Sequence, residues 1–133
     1  MSDANVELVK RVYDAYGRGE IPVVMGSMTH DIAWETVGRP SDFVGLGPRK
    51  GLEKVGEFFS AVASVIDYDE FNVQEVYAID DKVFALGHYA MTGKTTGRKM
   101  DSDWIHIFTI RDGKITAFRE FTDTAQVAYV VGK

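Results

Sequence analysis

Residues 104–122 read Trp104-Ile105-His106-Ile107-Phe108-Thr109-Ile110-Arg111-Asp112-Gly113-Lys114-Ile115-Thr116-Ala117-Phe118-Arg119-Glu120-Phe121-Thr122. Two runs rich in β-branched and aromatic residues flank Arg-Asp-Gly, which predicts an antiparallel hairpin. Its register decides which side chains face inward. A two-residue turn at Asp112-Gly113 sets Ile105 opposite Glu120 and sends His106 to the other side. A three-residue loop, Arg111-Asp112-Gly113 with Gly113 left-handed, shifts the register by one. Trp104 then pairs with Glu120, and His106 becomes the diagonal neighbour of that carboxylate. The same register gathers Trp104, His106, Phe108, Phe118 and Glu120 on one face and Ile105, Ile107, Ala117 and Phe121 on the other. It is the preferred reading.

Working backwards from the hairpin, residues 83–92 and 68–79 are further strands, joined by turns at Thr95-Thr96-Gly97 and Asp80-Asp81. Leu52, Val55, Phe59, Val62 and Ile66 step by three and four, which predicts an amphipathic helix. Before it, residues 37–51 are rich in glycine and carry Pro40 and Pro48; they read as a long loop bordering a pocket mouth. Residues 30–36 form a short strand centred on Trp34. Pro22 fits the first turn of a short helix over 21–28. At the start, Val6, Val9, Val12, Tyr13 and Tyr16 mark a helix over 3–18, which Ser2 or Asp3 can cap and Gly17 or Gly19 can end. After the hairpin, Asp123 with Gln126 three residues later predicts a capping box and a last helix.

Helices first and hairpins afterwards is an α+β pattern, with the helices on one face of the sheet. The 133 residues suit a single domain, 1–133, with a core of its own. Val83, Ala85 and Gly87 oppose Phe84 and Leu86, so that strand is apolar on both faces, and homodimerisation is the simplest cover for the outer one. The net charge is −5 and the basic residues are scattered, which argues against nucleic acid and anionic membrane as partners. Without cysteine there is no disulfide, thiolate metal site or cysteine nucleophile. The N-terminus lacks the layout of a signal peptide and no apolar run approaches a membrane span, so a cytoplasmic location is expected. His30, His88 and His106 show no ligand spacing, and Gly45, Gly47 and Gly51 do not form a phosphate loop; neither metal nor cofactor is expected.

Taken in order, several segments resemble one family. They are Tyr13-Asp14-Ala15-Tyr16-Gly17-Arg18-Gly19-Glu20, Asp31-Ile32-Ala33-Trp34, Gly51…Val55…Phe58-Phe59 and Thr96-Gly97-Arg98. Trp104-Ile105-His106-Ile107-Phe108, Arg111-Asp112-Gly113-Lys114-Ile115 and the segment Phe118 to Ala125 continue the series. The pattern is similar to SnoaL-like proteins, the polyketide-cyclase and ketosteroid-isomerase-like branch of the nuclear-transport-factor-2-like superfamily. The resemblance implies a cystatin-like curved antiparallel sheet with helices on its concave face, enclosing one pocket. It implies less about chemistry, because the fold hosts isomerases, hydrolases, cyclases and binding proteins.

In polyketide-cyclase members a histidine and a carboxylate match His106 and Glu120 and face the pocket, the carboxylate serving as acid/base; a carboxylate of limonene-epoxide-hydrolase-like members also matches Glu120. Ketosteroid-isomerase positions fall on Thr36, Val12 and His106, and Thr36 cannot be that base. The epoxide-hydrolase Arg and Asp fall on Gly87 and Tyr89, which disfavours that mechanism. His106 and Glu120 are therefore the candidate catalytic pair. The alternatives are a Glu120 paired to Arg39 or Arg49 and a His106 that is simply a satisfied core residue. Tyr16, Trp34, Trp104, Phe108, Phe118 and His88 are the candidate ligand-binding wall, His88 with either orientation open, and the expected ligand is a small apolar or aromatic molecule.

Overall fold

The computed structural model describes residues 2–133. The chain runs α1 (Ser2–Gly17), α2 (Ile21–Gly26), β1 (Met28–Thr36), β2 (Gly47–Lys50), α3 (Leu52–Val65), β3 (Ile66–Ile79), β4 (Lys82–Gly93), β5 (Lys99–Arg111), β6 (Lys114–Phe121) and α4 (Thr124–Val131). The strands form one curved sheet in the order β2-β1-β6-β5-β4-β3. Its pairs are antiparallel except β1 with β6, which run parallel. Ser2 and Asp3, the expected caps of α1, lie inside the helix, and the position before it falls outside the described residues.

Strand alternation builds the core. Along β4 every second residue is buried, from Val83 to Gly93, and β5 answers with Met100, Trp104, His106, Phe108 and Ile110. From the other side, α1 contributes Leu8, Val9, Val12 and Ala15, while α3 contributes Val55, Phe58 and Val62. An apolar stripe at helical spacing thus meets one face of a sheet, which is why the helices sit where they do. Trp34 of β1 stacks on Phe118 of β6 with ring centroids 4.0 Å apart, tying the parallel pair together.

The closing hairpin has neither of the registers expected from its turn alone. The turn is the two-residue one: Arg111 pairs with Lys114, and Asp112 and Gly113 have φ of 50° and 74°. Both left-handed values match the primed turn that such hairpins favour, and glycine supplies the second at no steric cost. Between Ile110–Ile115 and Thr109–Ala117 the register then shifts, so β6 carries one extra residue there. This bulge lets Ile115 and Phe118 both point inward although they are three residues apart. His106 becomes the direct partner of Glu120, where a diagonal relation was expected, and the expected division of the two faces holds.

Three further boundaries differ from expectation. Within 37–51, residues Gly47–Lys50 form an edge strand paired to β1. Gly-Pro-Arg-Lys has no apolar alternation to announce it, and the edge position tolerates its proline. β5 begins at Lys99, where a turn and loop were expected to run on towards Trp104. Asp123 does cap α4, its Oδ1 accepting from the Gln126 amide; Gln126 Nε2 donates to Asp123 Oδ2 and to the Asp101 carbonyl, and Gln126 Oε1 accepts from the Asp101 amide and not from that of Asp123, so the reciprocal half of the box is replaced. The Asp123 amide donates to Ser102 Oγ.

Candidate functional site

Adjacent strands place the central pair. His106 on β5 and Glu120 on β6 face each other across a ladder position on the helix-covered side. The His106 Nε2–Glu120 Oε2 distance is 2.7 Å, and His106 is only 5% exposed. Its ring stacks on Trp104 at 4.0 Å and meets Phe118 edge-on at 4.9 Å. Neither Arg39 nor Arg49 reaches Glu120. Arg39 pairs with Asp42, and Arg49 donates to the carbonyls of Val44 and Lys54 and lies near Glu57.

Glu120 is enclosed by donors. Thr36 Oγ1 on β1 donates to Oε1 at 3.1 Å, and Tyr89 Oη on β4 donates to Oε2 at 3.2 Å. Burial pushes the carboxyl upward, but the facing His106 charge and the hydrogen bonds from His106, Thr36 and Tyr89 outweigh it and hold the group below the usual carboxylate range. An ionised Glu120 is an acceptor only, so His106 Nε2 carries the proton between them. The other ring nitrogen, Nδ1, lies 2.7 Å from the phenol oxygen of Tyr13 on α1. Burial, and after it the Glu120 charge, push the Tyr13 phenol well above its ordinary value, so it stays protonated. The result is a line of three hydrogen-bonded groups, Tyr13, His106 and Glu120.

Tyr13, His106 and Glu120 border an apolar cavity whose space open to the centre of a water molecule is about 60 Å³. That is room for roughly four or five waters. Trp34, Phe108, Phe118 and Tyr16, all expected in the wall, line it together with Phe58, Phe59, Tyr68 and Phe71. Tyr16 Oη donates to Tyr68 Oη at 3.1 Å, at the boundary between this cavity and a larger outer groove that shares Tyr13, Phe59 and Phe71. On its far side Glu120 also borders a smaller space, closed by Phe43 and Leu46 of the segment between β1 and β2. That segment therefore packs behind the carboxylate, while the groove opens between α1 and β3.

Two of the expected wall residues lie elsewhere. His88 points to the opposite face of the sheet, its Nδ1 2.9 Å from Asp103, because its β4 position alternates with the buried Gly87 and Tyr89. Trp104 lies behind His106 and supports its ring without bordering the cavity. Conversely, Tyr13, Thr36 and Tyr89 belong to the site although none of them was among the expected site residues. Tyr13 shares the helical stripe with Val9 and Val12, so only its hydroxyl sets it apart, and the other two need the fold to meet Glu120. Among the described residues no cluster of histidine and carboxylate side chains could hold a metal ion, and no helix is long and apolar enough to cross a membrane.

A family model, the SnoaL-like domain, matches residues 9–118, a stretch that includes Tyr13, Thr36, Tyr89 and His106 and stops just before Glu120. A search of curated proteins finds no match. Among solved structures, the chain is similar to an NTF2-like protein of unknown function from Burkholderia pseudomallei K96243, with 21% identity, 98% of each chain covered and a TM-score of 0.89. It is similar to TerC, solved in co-crystals with polyporic acid, at 21% identity over 98% of this chain and 99% of that one, with a TM-score of 0.86. A candidate polyketide cyclase from Xanthomonas campestris pv. campestris aligns at 18% identity over 98% of each chain, with a TM-score of 0.80. At these identities the likeness establishes the fold and leaves the chemistry to the site.

Proposed function

Since the chain belongs to the SnoaL-like domain family, we propose that it binds a small apolar, ring-bearing compound and catalyses a cofactor-independent proton transfer on it, of the cyclase or isomerase type. The observation that carries this reading is the 2.7 Å His106–Glu120 pair at the wall of an otherwise apolar cavity. Burying an ionised carboxylate beside a histidine costs desolvation, and titratable groups perturbed in this way at the wall of a cavity concentrate at functional sites. The co-crystallisation of TerC with polyporic acid and the cyclase assignment of the Xanthomonas protein support the ligand class and the reaction type. As a partner we propose a second copy of the chain, packed on the outer sheet face.

One observation favours a second reading, a binding module without turnover. Both His106 nitrogens and both Glu120 oxygens already have protein partners. The two readings separate in one experiment. Single- and double-ring ketones and hydroxylated aromatics are screened by quenching of tryptophan fluorescence, and the binders are then followed for conversion. Catalysis predicts that Glu120→Gln retains binding and loses roughly 10²–10⁴-fold in turnover. Binding with no conversion of any bound compound supports the module, and no binding at millimolar concentration refutes both.

A further inference from the structure

The inner cavity and the outer groove meet at Tyr16 and Tyr68, which line both. Their phenol oxygens are 3.1 Å apart, and neither makes another hydrogen bond among the described residues. Two hydroxyls carry two protons, and the hydrogen bond between them uses one. Whichever phenol donates, the other keeps a proton with no protein acceptor. Burial pushes both phenols above their ordinary value, Tyr68 well above it, so neither proton is lost at neutral pH. Phe71 meets both rings edge-on, with centroids 5.7 and 5.4 Å away, and buttresses the pair. The other polar groups of the cavity offer no donor free of conditions. Ionised Glu120 only accepts. Tyr13 is bonded to His106, and whether it has a proton to give depends on the charge of that ring.

We infer that the Tyr16–Tyr68 pair is the polar anchor of the ligand, and that the ligand carries a neutral carbonyl oxygen on its ring system, which accepts the pair's spare proton. This rests on the small-molecule binding reading above and deepens it by naming the group that is recognised. A ligand that displaces solvent from the pair and has no acceptor leaves that proton unpaired among aromatic walls, which costs affinity. A carbonyl answers the proton without bringing one of its own into apolar surroundings, and those surroundings suit the flat body that carries it. The charge of the groove decides against an anionic acceptor. Asp14, Asp67, Asp69 and Glu70 line it, and the ammonium of Lys94 lies 3.7 Å from Asp67 and donates to the Ala63 carbonyl. A carboxylate would approach through a field of its own sign. The pair donates a hydrogen bond and keeps both its protons, so it determines specificity and takes no part in proton transfer.

The test uses acetophenone and α-methylstyrene, which share a ring and a shape and differ in C=O against C=CH2, with benzoate as the anionic acceptor. Once the different cost of removing each probe from water is subtracted, using its partition into an apolar solvent, equilibrium dialysis of the wild-type chain should favour the ketone by about tenfold, the worth of one hydrogen bond. Benzoate should bind more weakly than the ketone at pH 7. The double variant Tyr16→Phe with Tyr68→Phe should lose the preference while binding α-methylstyrene as before, which also shows that it folds. Both hydroxyls are removed together because either one alone still has a proton to give. Infrared spectroscopy of the wild-type chain gives a reading that needs no variant: the carbonyl stretch of bound acetophenone should lie below its value in an apolar solvent. A preference that survives the double substitution, equal corrected binding of ketone and hydrocarbon, an unshifted carbonyl stretch, or benzoate bound ahead of the ketone overturns the inference and leaves the cavity as a binding site. Failure of all three probes to bind at millimolar concentration overturns the binding reading along with it.

Discussion

At the scale of single residues, Glu120 sets the electrostatics of the site. Its folded-state carboxyl lies below the ordinary range, because His106 and three hydrogen bonds outweigh the burial that pushes it up. The folded protein therefore binds the Glu120 proton less readily than the unfolded chain does. Linkage then gives a stabilising contribution that is present above the unfolded carboxylate value, about 4.3, and fades as pH falls through the lower folded one. Glu120→Gln removes the charge but keeps the shape. Thermal unfolding should show the wild type ahead at neutral pH, by about 1–3 kcal/mol as expected for hydrogen bonds to a charged group. That gap should close as pH falls below about 4. A gap of constant size from pH 7 to pH 3 would contradict the assignment. Asp123, the cap of α4, gives a plainer case: Asp123→Ala should cost about 1 kcal/mol in the same assay, and no measurable loss would mean that Ser102 and Gln126 hold the helix start unaided.

Elements turn these residues into a site, and here legibility was uneven. The shared face of His106 and Glu120 was expected from a three-residue turn; the turn has two residues, and it is the bulge in β6 that brings the two side chains back to one face. Their direct pairing was not legible. It depends on a bulge near Thr116, and a bulge leaves no composition signal beyond one residue too many between two inward positions. Strand β2 was hidden for a related reason, since an edge strand paired on one side needs no apolar alternation. Tyr13 was read as one more residue of a buried helix face, and only the packing of α1 over β5 reveals its partner. Trp104 shows how closely the strands fit. A Cβ at Gly87 on the neighbouring strand would collide with the Trp104 indole and the Asn72 carbonyl. Gly87→Ala should therefore cost about 1–3 kcal/mol by overpacking and, by displacing Trp104, alter the near-ultraviolet circular dichroism. Gly56 in α3 is the control, because its Cβ would meet only Met25, at 3.5 Å. Gly56→Ala should stabilise by about 0.8–1 kcal/mol through helix propensity. Equal effects at the two positions would refute the packing argument.

For the whole molecule the open question is the outer face of the sheet, which carries no helix along β4, β5 and β6. Register places Leu86, Ile105 and Phe121 in one cross-strand row, and Tyr77, Phe84 and Ile107 in the next. Ile105 is 41% exposed, Phe121 38% and Tyr77 52%, so the two rows make a contiguous apolar surface. Continuous patches of this kind on a soluble protein mark association surfaces. The charges around it favour a second copy as the occupant. Asp101 and Asp103 lie on this face at one end of β5, and Lys82 and Arg119 lie on it towards the other end. A two-fold axis through the apolar rows brings the acidic end of one copy over the basic region of the other, the self-complementary arrangement an isologous dimer requires. Sedimentation equilibrium at micromolar concentration should then give the dimer mass, and Phe121→Asp together with Ile105→Asp should give the monomer with its fold retained. The association should weaken with added salt in proportion to the screening of those end charges. A wild-type chain that sediments only as a monomer would show that the apolar rows are tolerated in water, and a dimer indifferent to both substitutions would move the contact to another face.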